Sequence, residues 1–156
     1  MRIERPCYVG KLEERRENGS IKIVTGIRRC GKSYLLFNLY VERLRQMGVP
    51  ESRIVRVALD DNANAELRNP DRLADRLDRL LADDDGMHYV MIDEVQYAIS
   101  REELRDVENP PRIYGVLNGL LRRRNADVYV TGSNSKLLSS DVRTEFRGRG
   151  DEVRVL

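Results

Sequence analysis

Residues 21–33 have the sequence IKIVTGIRRCGKS, and this stretch decides the fold of the chain. Its first five residues are mostly β-branched, which predicts a buried strand from Ile21 to Thr25. Gly26 to Ser33 then match the pattern G-x-x-x-x-G-K-[ST] at every fixed position. The following residues are apolar at helical spacing, which predicts a helix. Strand, glycine-rich loop and helix together are the context that a phosphate-binding loop requires.

The two fixed glycines explain how this loop would bind phosphate. Gly26 and Gly31 accept backbone angles that a Cβ atom would penalise, so the loop can turn its N–H groups inward around an anion. The next helix begins at the loop, and its free N–H groups and positive dipole end would face the phosphates. Lys32 would reach the β- and γ-phosphates, and the Ser33 hydroxyl would bind Mg²⁺. The residues expected to contact the nucleotide here are Gly26, Ile27, Arg28, Arg29, Cys30, Gly31, Lys32, Ser33 and Tyr34.

The composition predicts a single soluble domain. The chain has 156 residues, of which 40% are hydrophobic and 35% charged, and this length suits one domain with its own core. No apolar stretch reaches the length of a membrane span, and the first residues lack the apolar region of a signal peptide, so we expect a cytoplasmic protein. A net charge of +2 gives no electrostatic argument for nucleic acid as a partner. Cys7 and Cys30 favour neither a disulfide framework nor a zinc site.

A pair of carboxylates, Asp93 and Glu94, follows the apolar run of residues 89–92. Such a run is typical of a strand buried in a parallel sheet. Carboxylates at its end are costly to bury unless they face a cation or water. With a phosphate-binding loop upstream, we expect Asp93 to hold Mg²⁺, directly or through water. Glu94 would orient or deprotonate the attacking water.

Strands and helices alternate along the chain, so we expect a mostly parallel sheet with helices on both faces. The phosphate loop, the Asp93–Glu94 pair and the polar turn with Ser133 and Asn134 each follow a strand, so they converge on the carboxyl edge of that sheet. A side chain of that turn could touch the γ-phosphate or the attacking water. The predicted strands are residues 21–25, 53–59, 89–92, 128–131 and one beginning at Glu152; the predicted helices are 11–16, one after the loop, 70–85, 101–106, 112–124 and one beginning at Lys136.

Three segments, TGIRRCGKS, MIDEVQ and VYVTGSNSKLLSSD with the later FRGRGDEVRVL, resemble the AAA-type ATPases of bacteria and archaea that are known simply as ATP-binding proteins. The resemblance covers nearly the whole chain, and the three motifs in this order are more specific than the loop alone. It implies a three-layer P-loop NTPase fold with a five-stranded sheet in the order 5-1-4-3-2. It also implies that residues 26–33 are Walker A, that residues 92–94 end Walker B, and that Asn134 or Ser133 is sensor 1.

The resemblance extends to two arginines and to the length of the protein. Arg147 and Arg149 match the family's GR motif, and two interpretations of them stay equal. In the first interpretation, one of the two arginines stabilises charge on the transferred phosphoryl group, an effect of about 10³–10⁵ in rate. In the second, the turn that contains them anchors the fifth strand. The family continues into a winged-helix-like region and a nuclease-like domain, so we expect residues 1–156 to be an ATPase domain truncated at its C-terminal end. That missing domain and a second copy of the chain are the partners considered.

Three functions remain open from the sequence. The first is Mg²⁺-dependent binding and hydrolysis of ATP that drives a conformational switch in a larger protein. The second is a switch that binds ATP without hydrolysing it and controls a partner domain related to DNA. The third is a small-molecule P-loop kinase, although Glu94 directly after Asp93 fits a water-activating ATPase better.

Overall fold

A computed structural model describes residues 6–26, 31–82, 86–106, 108–132 and 150–155. Helices and strands alternate through these segments. The strands are β1 Ile21–Thr25, β2 Ile54–Ala58, β3 His88–Asp93, β4 Ala126–Thr131 and β5 Gly150–Arg154. The α-helices are α1 Pro6–Glu14, α2 Lys32–Tyr34, α3 Val41–Gln46, α4 Pro70–Leu81, α5 Arg101–Arg105 and α6 Arg112–Arg123.

The five strands form one sheet in the order β2-β3-β4-β1-β5, and every neighbouring pair is parallel. Read from the other side, this is the predicted order 5-1-4-3-2, which is confirmed. Ile92 of β3 lies opposite Val130 of β4, so the next residues along the two strands, Asp93 and Thr131, reach the carboxyl edge together. This register sets the geometry of the site described below.

Both faces of the sheet are covered, which accounts for the apolar character of its strands. In β3, Val90 and Ile92 point to the core under α4 and α6, whereas Tyr89 and Met91 point to the core under α1 and the helix that follows the loop. The same alternation runs through β1 and β4. The protein therefore has three layers, helix, sheet and helix, as the sequence predicted.

Local signals explain where α4 and α5 begin. Pro70 occupies the first turn of α4, where a missing N–H costs nothing, and the Asn69 side chain accepts the N–H of Asp71. Ser100 and Glu103 form a capping box at the start of α5, each side chain bonding the backbone of the other.

Several predicted boundaries were wrong. The first helix begins at Pro6 and ends at Glu14, rather than spanning 11–16, because proline suits a helical first turn and the helix buries Leu12 beneath the sheet. The fifth strand begins at Gly150, two residues before the predicted start at Glu152, because Gly150 already pairs with Ile21 of β1. The helix after the loop contains an unpredicted π-helical segment, Leu35–Tyr40, between α2 and α3.

Further helical segments were not predicted in the connections. They are 3-10 helices at Glu51–Arg53, Asn62–Arg68 and Val95–Ala98. The Asp61 side chain caps the second of them by accepting the N–H of Ala63. Within the described segments, no helix is both long and apolar enough to cross a membrane.

Candidate nucleotide site

The two fixed glycines of the loop adopt backbone angles that favour glycine. Gly26, directly after β1, has a φ of 151°, and Gly31, directly before α2, has a φ of 93°. A side chain at either position would be strained. Residues 27–30, which were predicted to contact the nucleotide, lie outside the described segments, so the two glycines give the ends of the loop.

Lys32 begins α2 and is almost completely buried. Its Nζ atom donates a hydrogen bond of 2.9 Å to the carbonyl oxygen of Gly26. The ammonium group therefore contacts the first residue of the loop from the helix that follows it, close to the predicted position of the nucleotide phosphates. Tyr34, two residues later at the end of α2, is exposed.

Asp93 is the buried acid of the site, with 3% of its surface exposed. The Ser33 hydroxyl donates to its Oδ2 atom at 2.7 Å, and the Thr131 hydroxyl donates to its Oδ1 atom at 2.5 Å. Burial raises the pKa of this carboxyl, the two hydroxyl hydrogen bonds oppose the rise, and the charges of Glu94 and Asp60 add to it. A cation beside Asp93 would remove this cost.

The oxygen atoms around Asp93 fit a magnesium ion. Mg²⁺ prefers hard oxygen ligands and is often held by one or two carboxylates together with substrate phosphates and water. Ser33 supplies a hydroxyl oxygen and Asp93 a carboxylate oxygen, already in contact. The described residues contain no group of three or more His, Cys, Asp or Glu side chains able to hold a metal by themselves. Such a pair suits a cation that arrives with phosphate.

Glu94 has a strained backbone, because its φ of 58° and ψ of 55° are left-handed. This conformation is uncommon for residues other than glycine and requires support from the surroundings. The Glu94 N–H donates to the Thr131 hydroxyl at 2.9 Å, and the Gln96 side-chain amide donates to the Glu94 Oε2 atom. The carboxylate is half-buried at the carboxyl edge of the sheet.

The fifth strand also contacts the strand that leads into the loop. The Thr25 hydroxyl donates to Glu152 Oε2 at 2.6 Å, and the Val155 N–H donates to the Thr25 carbonyl at 2.7 Å. These bonds hold the end of β1, and with it Gly26, against β5.

The structure brings together Ser33, Asp93 and Glu94 at one edge of the sheet, with Lys32 bound to the adjoining loop. Ser133, Asn134, Arg147 and Arg149, which were predicted to take part, lie outside the described segments. Two residues at the site, Thr131 and Gln96, were not predicted from the sequence. A usable signal was present for Thr131, because a hydroxyl at the end of the strand beside Asp93 faces the carboxyl edge.

Comparison with known proteins agrees with this architecture. The family described as AAA domain matches residues 18–156. An uncharacterized protein of Haemophilus influenzae is 26% identical over 153 residues, which cover 98% of this chain and 35% of that protein. This chain thus spans about a third of that relative.

Two solved structures share the fold. PCH-2 of C. elegans superposes with a TM-score of 0.61 at 21% identity, covering 96% of this chain and 40% of that one. AMPPCP-bound DnaA from Aquifex aeolicus superposes with a TM-score of 0.57 at 17% identity, covering 95% of this chain and 44% of that one.

Proposed function

The chain belongs to the AAA domain family, and from this premise we propose that it binds ATP with Mg²⁺ and hydrolyses it to ADP and phosphate, driving a conformational switch in a larger protein. The observation that carries the proposal is the Ser33–Asp93 contact at 2.7 Å. It joins the end of the phosphate-binding loop to a buried carboxylate whose described partners are two hydroxyl groups. AMPPCP on DnaA, a protein of the same fold, supports a nucleotide as the ligand.

In this proposal, binding depends on the loop and on Lys32. The loop N–H groups and the positive end of the following helix surround the phosphates. The Lys32 ammonium group neutralises the charge on the β- and γ-phosphates, exchanging the Gly26 carbonyl for phosphate oxygen. Ser33 and Asp93 hold Mg²⁺. The ion, when bound, stabilises negative charge on the phosphate oxygens.

Glu94 carries the proton transfer. A water oxygen attacks the γ-phosphorus, the bond between that phosphorus and the β–γ bridging oxygen breaks, and ADP leaves. The Glu94 carboxylate accepts a proton from the water, a contribution of about 10²–10⁴ in rate for a well-placed base. In the proposal Asn134 and Ser133 contact the γ-phosphate, and either Arg147 or Arg149 stabilises its charge.

The switch and its partners are inferred from the size of the relative. This chain covers 35% of the Haemophilus influenzae protein, so the matching segment is joined there to other segments. We expect ATP binding and phosphate release to alter how such segments, or a second copy of the chain, pack against the domain. Energy from hydrolysis is then used for movement rather than for metabolism of a small molecule.

The proposal is tested with ATP binding and phosphate release measured for the wild type, Lys32→Ala and Glu94→Gln. Lys32→Ala should lose nucleotide binding, whereas Glu94→Gln should bind ATP and lose turnover by at least about 10²-fold. Lys11→Ala and Glu102→Gln, at exposed positions outside the site, are the matched controls. A wild type that binds no ATP refutes the proposal, and formation of ADP without phosphate in the presence of an acceptor indicates a kinase.

A second candidate, an ATP-dependent switch without hydrolysis, is favoured by one contact. The Gln96 amide donates to Oε2 of the Glu94 carboxylate, the group that would accept the proton from the attacking water in the first proposal. If this contact restrains hydrolysis, Gln96→Ala should raise the rate of phosphate release with little change in ATP affinity. If Gln96 instead orients the base for catalysis, the same substitution should lower the rate. A rate of zero in both proteins favours the non-hydrolysing switch.

A further inference from the structure

Thr131 is the last residue of β4, and its side chain is completely buried. Its hydroxyl makes two hydrogen bonds at the candidate site. It donates to Asp93 Oδ1 at 2.5 Å and accepts the N–H of Glu94 at 2.9 Å. One oxygen atom therefore bridges the carboxylate predicted to hold the metal and the backbone of the residue predicted to activate water.

The directions of the two bonds are fixed by chemistry. A hydroxyl has one proton to donate and two lone pairs that accept. The ionised Asp93 carboxylate can only accept and the Glu94 N–H can only donate, so the Thr131 proton must point to Asp93. No apolar side chain of the same shape can make either bond. Serine can make both.

The other bonds of Asp93 show why this bridge matters. Its Oδ2 atom accepts a hydrogen bond from Ser33 in α2, whereas its Oδ1 atom accepts one from Thr131 in β4. The carboxylate is thus held between the loop and β4, in a fixed rotation. Glu94 leaves β3 with left-handed backbone angles, and the described partner of its N–H is the same hydroxyl. Removing that hydroxyl frees the carboxylate to rotate and removes support from a strained residue.

We propose that Thr131 is a positioning residue, whose hydroxyl sets the placement of the Glu94 base relative to the Asp93 carboxylate. The inference rests on the proposed ATPase function and assigns a role to Thr131, which lies in the VYVTGSN segment but was not among the predicted site residues. The hydroxyl points to Asp93 and the Glu94 backbone, and neither bond involves the loop or Lys32. Its loss should therefore affect the chemical step and the metal requirement, and leave nucleotide affinity almost unchanged.

The expected size follows from the geometric demands of catalysis. A base misplaced by about 1 Å can cost about 10²-fold in rate. Thr131→Val keeps the shape of the side chain and removes both hydrogen bonds, so kcat should fall by about 10–100-fold. The Mg²⁺ concentration needed for half-maximal binding of a non-hydrolysable ATP analogue should rise, because Asp93 loses its fixed orientation. Thr131→Ser should restore both quantities to within a few-fold of the wild type.

The experiment compares the wild type, Thr131→Val, Thr131→Ser and Thr25→Val. Thr25→Val removes another completely buried strand-end hydroxyl, one that bonds Glu152, and shows how much such a loss costs the fold. Each protein is measured for kcat, for analogue affinity across a Mg²⁺ titration and for its urea unfolding midpoint. If Thr131→Val does not fold, Thr131→Ala takes its place with the same expected results.

The outcomes separate this inference from the proposed function. Wild-type kcat and a wild-type Mg²⁺ requirement in folded Thr131→Val would overturn the inference and leave the ATPase proposal standing. So would a Thr131→Ser variant as impaired as Thr131→Val, or losses of kcat and analogue affinity in equal measure. If the wild type binds the analogue with Mg²⁺ and does not hydrolyse ATP, the hydrolysis proposal fails and the shift in Mg²⁺ requirement alone decides the role of Thr131.

Discussion

Two buried polar clusters lie at opposite edges of the same sheet, and the acidic side chain in each has a different kind of partner. At the amino edge, Lys22 of β1 and Asp127 of β4 form a buried ion pair. At the carboxyl edge, the partners of Asp93 in the described part of the chain are the hydroxyl groups of Ser33 and Thr131. The first cluster is complete within the protein, whereas the second is suited to receive a positive charge from outside.

The amino-edge cluster satisfies both of its charges. Lys22 Nζ bonds Asp127 Oδ1 and also donates to the Ser20 carbonyl at 2.8 Å. The other oxygen of Asp127 accepts the Tyr129 hydroxyl at 2.6 Å and the Glu17 N–H at 2.9 Å. Burial lowers the pKa of Lys22, and the adjacent Asp127 opposes that change. Both charges are thus paired and hydrogen-bonded within the protein, and removing either partner alone would leave the other charge buried and unpaired.

The difference supports the proposal that Asp93 belongs to a ligand site. Asp93 and Asp127 are both acids at the ends of buried strands, with the same exposed fraction of 3%. Only Asp127 has a lysine within bonding distance among the described residues. A buried acid whose partners are hydroxyl groups is costly in the free protein and becomes favourable once a cation arrives.

The comparison predicts its largest effect at the amino edge. Lys22→Met leaves Asp127 buried without a counter-charge, so the free energy of unfolding should fall by about 3–5 kcal/mol. Urea unfolding measures this, with Lys11→Met at an exposed position as the control. The double variant with Asp127→Leu should recover most of the loss, because neither charge then remains. Equal stability of Lys22→Met and the control Lys11→Met would contradict the assigned role of the pair.

At the carboxyl edge the opposite sign is expected. Asp93→Asn removes a buried charge whose described partners are hydroxyl groups, and it keeps a side chain that can hydrogen-bond Ser33 and Thr131. The free energy of unfolding without ligand should therefore rise by about 0.5–2 kcal/mol, while Mg²⁺-dependent ATP binding is lost. Urea unfolding with and without Mg²⁺ and an ATP analogue measures both. A destabilised ligand-free variant would place Asp93 in the same class as Asp127.

The pH dependence of stability tests the same point. The folded-state pKa of Asp93 is raised from the ordinary value of 3.8. Its contribution is therefore fully present below pH 3.8 and is lost as the pH rises through the raised pKa. The free energy of unfolding of the wild type, minus that of Asp93→Asn, should fall across this window. Mg²⁺ with an ATP analogue should reduce the fall, and a difference that rises with pH would contradict the prediction.

The smallest effect concerns the outer end of the amino-edge cluster. The hydroxyl groups of Tyr40 and Tyr129 are 2.6 Å apart, and Tyr129 donates onward to Asp127. Tyr40→Phe removes one neutral hydrogen bond and leaves the ion pair intact, so stability should fall by about 0.5–1.5 kcal/mol. Thermal and urea unfolding of Tyr40→Phe and of the wild type measure it. A loss as large as that of Lys22→Met would mean that the tyrosine, rather than the ion pair, dominates the cluster.

Much of the fold was predictable because its signals are local. The strands around Val90, Val128 and Ile23 are continuous apolar runs, and such runs identify buried parallel strands without knowledge of their neighbours. Pro70 and Gly31 likewise act on their own segments. The boundaries that were wrong, at Pro6 and Gly150, depend on where a segment meets the sheet. The π-helical segment Leu35–Tyr40 had no sequence signal that we used.

The sequence by itself determined the candidate site residues of the loop and of the strand end, since Lys32, Ser33, Asp93 and Glu94 belong to contiguous motifs with a chemical reason for each position. Only the tertiary structure decided what those residues touch. Thr131 meets Asp93 across 38 residues of chain, and Lys22 meets Asp127 across 105. Both contacts depend on strand register, and a slip of one residue would turn each side chain to the other face of the sheet.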